Sequence, residues 1–213
     1  MKNQSIRTLD TPAQLQSDIK ALITIEPRFE RVYQQVGLPG LRRNSGGFEQ
    51  LMRAMVGQQL SVAAASSIWN KLEKAELISP QAILHAEDEV LREQGLSRQK
   101  IRYLRSLVEH DIDFEALQYL SDAEVIKTLT AVTGIGNWTA EMYLLFSLGR
   151  ADVLAVDDLA IKVGAMALLQ LEARPTPTQL KSLTQSWAPY RSAASLLLWS
   201  HYGWLKDRDA VPV

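Results

Sequence analysis

The sequence predicts an all-α protein. Three observations carry that expectation. Apolar residues recur at helical spacing in several segments, those segments open at Ser or Thr caps, and no stretch shows the two-residue alternation of a strand. Phe48, Leu51, Met52, Met55 and Val56 follow the i, i+3, i+4, i+7, i+8 pattern of one helix face. Residues 62–75 continue in good helix formers. A new helix is expected after Pro80, with Ser79 as its N-cap and proline in the first turn. Ser121-Asp-Ala-Glu124 has the form of a capping box and opens a run through Val125, Leu129 and Val132. Thr176-Pro177 is another start, and Ser192–Trp199 reads as a buried helix. The natural division is two helical lobes flanking a cleft within one unit, 1–213. One lobe lies around 40–110 and the other around 121–190, with the terminal segments packing on either. The first 10–15 residues and the tail DRDAVPV (207–213) are expected to fray.

The 213 residues are 46% hydrophobic and 22% charged, enough to bury a sizeable core. Cysteine is absent, which excludes disulfides, thiolate zinc sites and cysteine-held iron–sulfur clusters. The N-terminus is polar, with no apolar signal core, and no run is long and apolar enough to span a membrane. The default expectation is a cytoplasmic monomer with no membrane partner. The formal charge is −1, which by itself argues mildly against nucleic acid. Charge is uneven, however. Arg92, Arg98, Lys100, Arg102 and Arg105 place five cations in fourteen residues with Glu93 as the one opposing group, and Arg42–Arg43 form a second cluster. Solvated helix faces and phosphate contacts both explain such clusters. His85, His110 and His201 lack metal-ligand spacing, so no catalytic metal is expected.

The stretch Thr133-Gly-Ile-Gly-Asn-Trp138 interrupts the helical pattern. Two glycines between two amphipathic runs suit a tight hairpin with Ile135 tucked between the helices. Such a turn aims the N–H groups of the next helix outward, where they and the helix dipole favour a phosphate oxygen. This is the pattern of a helix-hairpin-helix motif, with Thr133, Gly134, Gly136 and Thr139 as phosphate-binding candidates. The hairpin's carbonyls can also take a monovalent cation. A plain helix–helix turn with a glycine cap fits the same residues.

Four stretches in order extend the match: FEQLMRAMVGQQLSVAAA (48–65), GLSRQKIRYL (95–104), ADVLAVDDLAIKVG (151–164) and WAPYRSAASLLLW (187–199). Together they resemble the helix-hairpin-helix DNA glycosylase superfamily, and within it the 3-methyladenine-DNA glycosylase II group, in a compact form without the N-terminal β domain. The resemblance spans residues 40–204. It implies base-excision repair of double-stranded DNA by flipping out an alkylated purine of the 3-methyladenine or 7-methylguanine type and hydrolysing its glycosidic bond. It implies Asp158 as the catalytic carboxylate, with Asp157 the adjacent candidate and one of the two an N-cap. Trp138 stands where bifunctional relatives carry a lysine, which implies a monofunctional enzyme using water. Trp138 and Trp199 would line the base pocket, and Gln58, Gln59 and Leu60 would fill the gap left by the base, with Gln59 the wedge. Two other readings fit the residues: a glycosylase for an oxidised or deaminated base, or a non-catalytic module that grips DNA backbone.

Overall fold

A computed structural model describes residues 6–206. The tail 207–213 and residues 1–5 lie outside the described residues. Twelve α-helices follow in order: α1 Pro12–Ile25, α2 Arg28–Val36, α3 Gly47–Gly57, α4 Val62–Lys74, α5 Pro80–His85, α6 Asp88–Glu93, α7 Arg98–Glu109, α8 Asp122–Thr130, α9 Asn137–Met142, α10 Leu159–Leu169, α11 Pro177–Leu183 and α12 Arg191–Leu205. Among the described residues there is no strand, and one isolated antiparallel bridge joins Thr8 to Arg150.

The caps read from the sequence are in place. Ser79 accepts from Ala82 N–H, and Ser121 with Glu124 closes a capping box. Thr176 and Gln179 close another, with Pro177 at the first helical turn. Each supplies a partner for an amide that the helix itself leaves unpaired, an effect of about 1 kcal/mol per cap.

The chain divides into two compact units, residues 44–143 and residues 1–43 with 144–213. This corrects the expected lobes of 40–110 and 121–190. In the first unit α3 packs on α4 and α7, α7 packs on α5 and α6, and α8 packs on α9. Leu51, Met52, Met55 and Val56 of α3 and Ile101, Leu104 and Leu107 of α7 are buried, as the helical spacing required. The hairpin after α8 belongs to this unit because its hydrogen bonds go to α7 and to the end of α3. Thr133 N–H donates to Ser106 Oγ at 3.0 Å, and Gly134 O accepts from Gln58 Nε2 at 2.9 Å.

The second unit is built on α12. Helices α10, α2 and α1 all pack against it, and its run Ser192–Trp199 is buried throughout. A Cβ on Gly164 of α10 would lie 2.8 Å from Leu198 O, so this glycine sets the approach of α10 to α12. Two serines of α12 anchor the chain that leads into α10. Ser192 Oγ donates to Arg150 O at 2.6 Å and accepts from Val153 N–H at 2.9 Å, and Ser195 Oγ donates to Val153 O at 2.9 Å. Among the described residues, 6–43 and 144–206 both belong here. Residues 6–15 do not fray: Leu9 is buried, Leu9 N–H donates to Gly149 O at 2.7 Å, and Arg7 pairs with the buried Asp18 while lying over the Tyr190 ring.

Gly164→Ala is expected to destabilise the protein by about 1–3 kcal/mol, because overpacking against the α12 backbone outweighs the roughly 1 kcal/mol gain in helix propensity. A lowered melting temperature checks this, and an unchanged or raised one would show that α10 can move away from α12.

Candidate functional site

The first candidate element is Asp158. Its backbone is extended at the N-cap of α10, and its Oδ1 accepts the Ile161 amide at 2.9 Å. The same oxygen accepts from Trp199 Nε1 at 3.2 Å. Cap and candidate acid are therefore one residue. Asp157 beside it is exposed, whereas Asp158 is half-buried. A carboxylate at this position also sits at the positive end of the α10 dipole.

Trp199 comes from the middle of α12. One face of its indole stacks on Phe146, with ring centroids 5.8 Å apart and planes 27° apart. With its N–H on Asp158 and only 6% of its surface exposed, it is a held group rather than an open wall. Phe146 was not legible as part of the site: its place comes from the π-helical turn Tyr143–Ser147 that follows α9, and nothing in its own neighbourhood marks that turn.

The second element is the hairpin in the other unit. Ile135 is buried, as expected of the residue that locks the turn. The two glycines differ. Gly134 has φ +96°, and a Cβ there would overlap the Tyr103 ring of α7. Gly136 has an ordinary φ of −93° as the N-cap of α9, and a Cβ there would meet nothing within 4 Å. The fold needs the first glycine and not the second. Thr133 and Gly136 are exposed, whereas Thr139 is buried at the third position of α9. Trp138, at the second position of α9, is half-buried. Two hairpin carbonyls already accept hydrogen bonds, Val132 O from Ile135 N–H and Gly134 O from Gln58, so a cation there would have to share them. Among the described residues no cluster of three or more His, Cys, Asp or Glu suits a metal.

The third element is the short loop between α3 and α4. Gln58 is the C-cap of α3 and spends its side-chain amide on Gly134 O, so it is not a free wedge. Gln59 is exposed at φ +58°, an uncommon conformation for a residue with a side chain, and Leu60 is 39% exposed. The basic segment also divides. Lys100 Nζ bonds Val56 O and, at 3.0 Å, Gln58 O. Burial lowers its ammonium pKa. Arg105 is bound to the carbonyls of Ile83, Leu84 and Ala86 and to Asp88. Both act inside the unit. Arg92, Arg98 and Arg102 are exposed.

The helical architecture and the hairpin define a helix-hairpin-helix protein. Residues 52–189 match the model of the HhH-GPD superfamily of base excision DNA repair proteins, and the chain belongs to that family. It is 37% identical over 161 residues to DNA-3-methyladenine glycosylase 1 of Schizosaccharomyces pombe, covering 71% of each chain. Its structure is similar to a DNA-3-methyladenine glycosidase from Bacillus halodurans, with a TM-score of 0.82, 33% identity and coverage of 97% and 96% of the two chains. It is also similar to the S. pombe 3-methyladenine DNA glycosylase solved with abasic DNA, with a TM-score of 0.68, 31% identity and coverage of 91% and 100%.

Gly134→Ala is expected to lose about 1–3 kcal/mol of stability, from the left-handed φ and the Tyr103 ring together. Gly136→Ala should stay within about 0.5 kcal/mol of wild type. Thermal melts of the two variants side by side test the contrast.

Proposed function

We propose that this protein is a monofunctional DNA glycosylase that releases alkylated purines from duplex DNA as a monomer, with Asp158 as its catalytic carboxylate. The observation that carries the reading is the pair of N–H donors, from Ile161 and Trp199, that hold one Asp158 oxygen at the head of α10. Alkylation at N3 or N7 makes a purine cationic, so the base leaves without strong acid assistance. The remaining demand is charge on the sugar as the glycosidic bond lengthens. A fixed carboxylate beside that carbon stabilises the oxocarbenium character and orients the attacking water. The base departs neutral with the bonding electron pair, and water supplies the new C–O bond and gives up its proton to the carboxylate or to solvent.

Trp199 acts first on the carboxylate: it fixes the rotamer of Asp158 and is itself fixed by Phe146. A cationic base reaching Asp158 would meet an indole, and cation–π attraction contributes roughly 0.5–2 kcal/mol. Trp138 is the second aromatic candidate for the base, on its place in the motif, and a tryptophan there supplies no amine for a Schiff base. The hairpin serves as the grip on one phosphate of the damaged strand. The open space at Gly136 supports this, since the fold gives no internal reason for a glycine there. Gln59 and Leu60 are the exposed residues for the vacated position in the duplex.

Asparagine is also a good N-cap, so Asp158→Asn keeps the fold while removing the charge. It is expected to lower methylpurine release by about 10²-fold or more. Strand breaks should appear only after alkali. Trp199→Phe keeps a ring against Phe146 but removes the N–H, and should lower release by about tenfold. Gly136→Ala should weaken binding to an abasic-site duplex by about tenfold, the scale of one charge-assisted contact. Release of free bases from methylated duplex, scored apart from nicking, decides the reading. Full activity in Asp158→Asn, or binding without release in wild type, would refute it.

A further inference from the structure

One side of α7, which carries Lys100 from the basic cluster, is turned toward the rest of the unit. Lys100, Tyr103 and Ser106 lie three residues apart, on one side of the helix. Lys100 holds the end of α3 and the first residue of the loop 58–60 through Val56 O and Gln58 O. The Tyr103 ring lies against Gly134. Ser106 accepts the Thr133 amide. Gln58 then closes the circuit, because its backbone carbonyl is held by Lys100 while its side-chain amide holds Gly134 O.

The loop inside this circuit is short. It spans three residues between the end of α3 and Ser61, whose hydroxyl caps α4 through Ala64 N–H. Leu60 N–H donates to Gly57 O at 3.2 Å, and Gln59 is kept at φ +58°. A side-chain-bearing residue persists in that conformation only where its surroundings over-determine it. The Lys100 ammonium supplies part of that constraint. A cation at the carbonyl end of α3 is favourably placed, and a half-buried ammonium with two carbonyl partners has little freedom to swing out to solvent.

We propose that Lys100 and Gln58 are positioning residues that tie the gap-filling loop to the phosphate-gripping hairpin, so that seating a phosphate on the hairpin places Gln59 and Leu60 for base extrusion. This rests on the glycosylase reading, which it deepens. Lys100 touches neither the base nor the reacting atoms. Its contribution falls on extrusion, and it should matter most where the lesion must be drawn out of a base pair.

The test uses the full chain with Lys100→Met, which keeps the stem and removes the ammonium, and Gln58→Ala, which cuts the tie alone. Single-turnover release of 7-methylguanine is compared on two duplexes, one with the lesion paired to cytosine and one with it opposite an abasic analogue, where extrusion is easier. Both variants should fall by about tenfold or more on the paired lesion and stay within about threefold of wild type on the unpaired one. A loss that is equal on the two duplexes, or no loss, overturns the assignment. Hydrogen exchange of the free protein gives a readout independent of activity. Amides 57–61 and 133–136 should both exchange faster in both variants, and faster exchange confined to the loop would also overturn it. If wild type releases no base from either duplex, the glycosylase reading fails, while the exchange data still judge the tie between loop and hairpin.

Discussion

Helices of six to fifteen residues leave a large share of their backbone amides and carbonyls without partners inside the helix. With twelve such helices among the described residues, satisfying those ends is the constraint on which the rest depends. Several starts are closed by ordinary caps, such as Ser79, Ser97, Ser121 and Thr176. Two others are closed, and a third is left open, by residues that the proposed function uses. Asp158 closes the start of α10, Lys100 closes the end of α3, and Gly136 leaves the start of α9 open to the outside. The proposed functional features are helix ends with an extra task.

Asp158 shows how the two tasks coincide. An N-cap needs a short side chain with an acceptor oxygen, and oxocarbenium stabilisation needs a fixed anion. Under the proposed function one carboxylate would meet both demands, because the cap geometry removes the rotamer freedom that a solvated aspartate would keep. The indole N–H of Trp199 adds a second restraint from a different helix. That restraint holds only if the chain entering α10 keeps its distance from α12, which the hydroxyls of Ser192 and Ser195 and the close packing at Gly164 provide. A polar anchor and a small residue thus set the position of an acid that neither one touches.

In the other unit the same logic separates residues that composition groups together. The five cations of 92–105 form one basic cluster on paper. Lys100 and Arg105 are drawn inward by backbone carbonyls, and Arg92, Arg98 and Arg102 face solvent. Carbonyls at helix ends compete with phosphate for a cation, and those nearest in the fold win. Net charge and clustering therefore overstate how much of this segment is available to a polyanion.

What the sequence alone determined is local. Periodicity and cap residues specify which segments are helices and where Ser79, Ser121 and Thr176 begin them, because those signals act within one or two turns. The hairpin, the buried Ile135 and the carboxylate at the head of α10 were legible for the same reason: glycine, β-branched and N-cap residues each impose a short-range preference. The tertiary structure decided the rest. The hairpin joins 44–110 instead of opening a second lobe, since its partners Gln58, Tyr103 and Ser106 are distant in sequence. The Gln58 side chain bonds Gly134 O instead of standing free in the gap loop, Thr139 is buried, and Phe146 reaches Trp199 through a π-helical turn. Each outcome depends on which long-range neighbour satisfies a buried polar group or fills a buried face, and no periodicity or spacing along the chain encodes that choice.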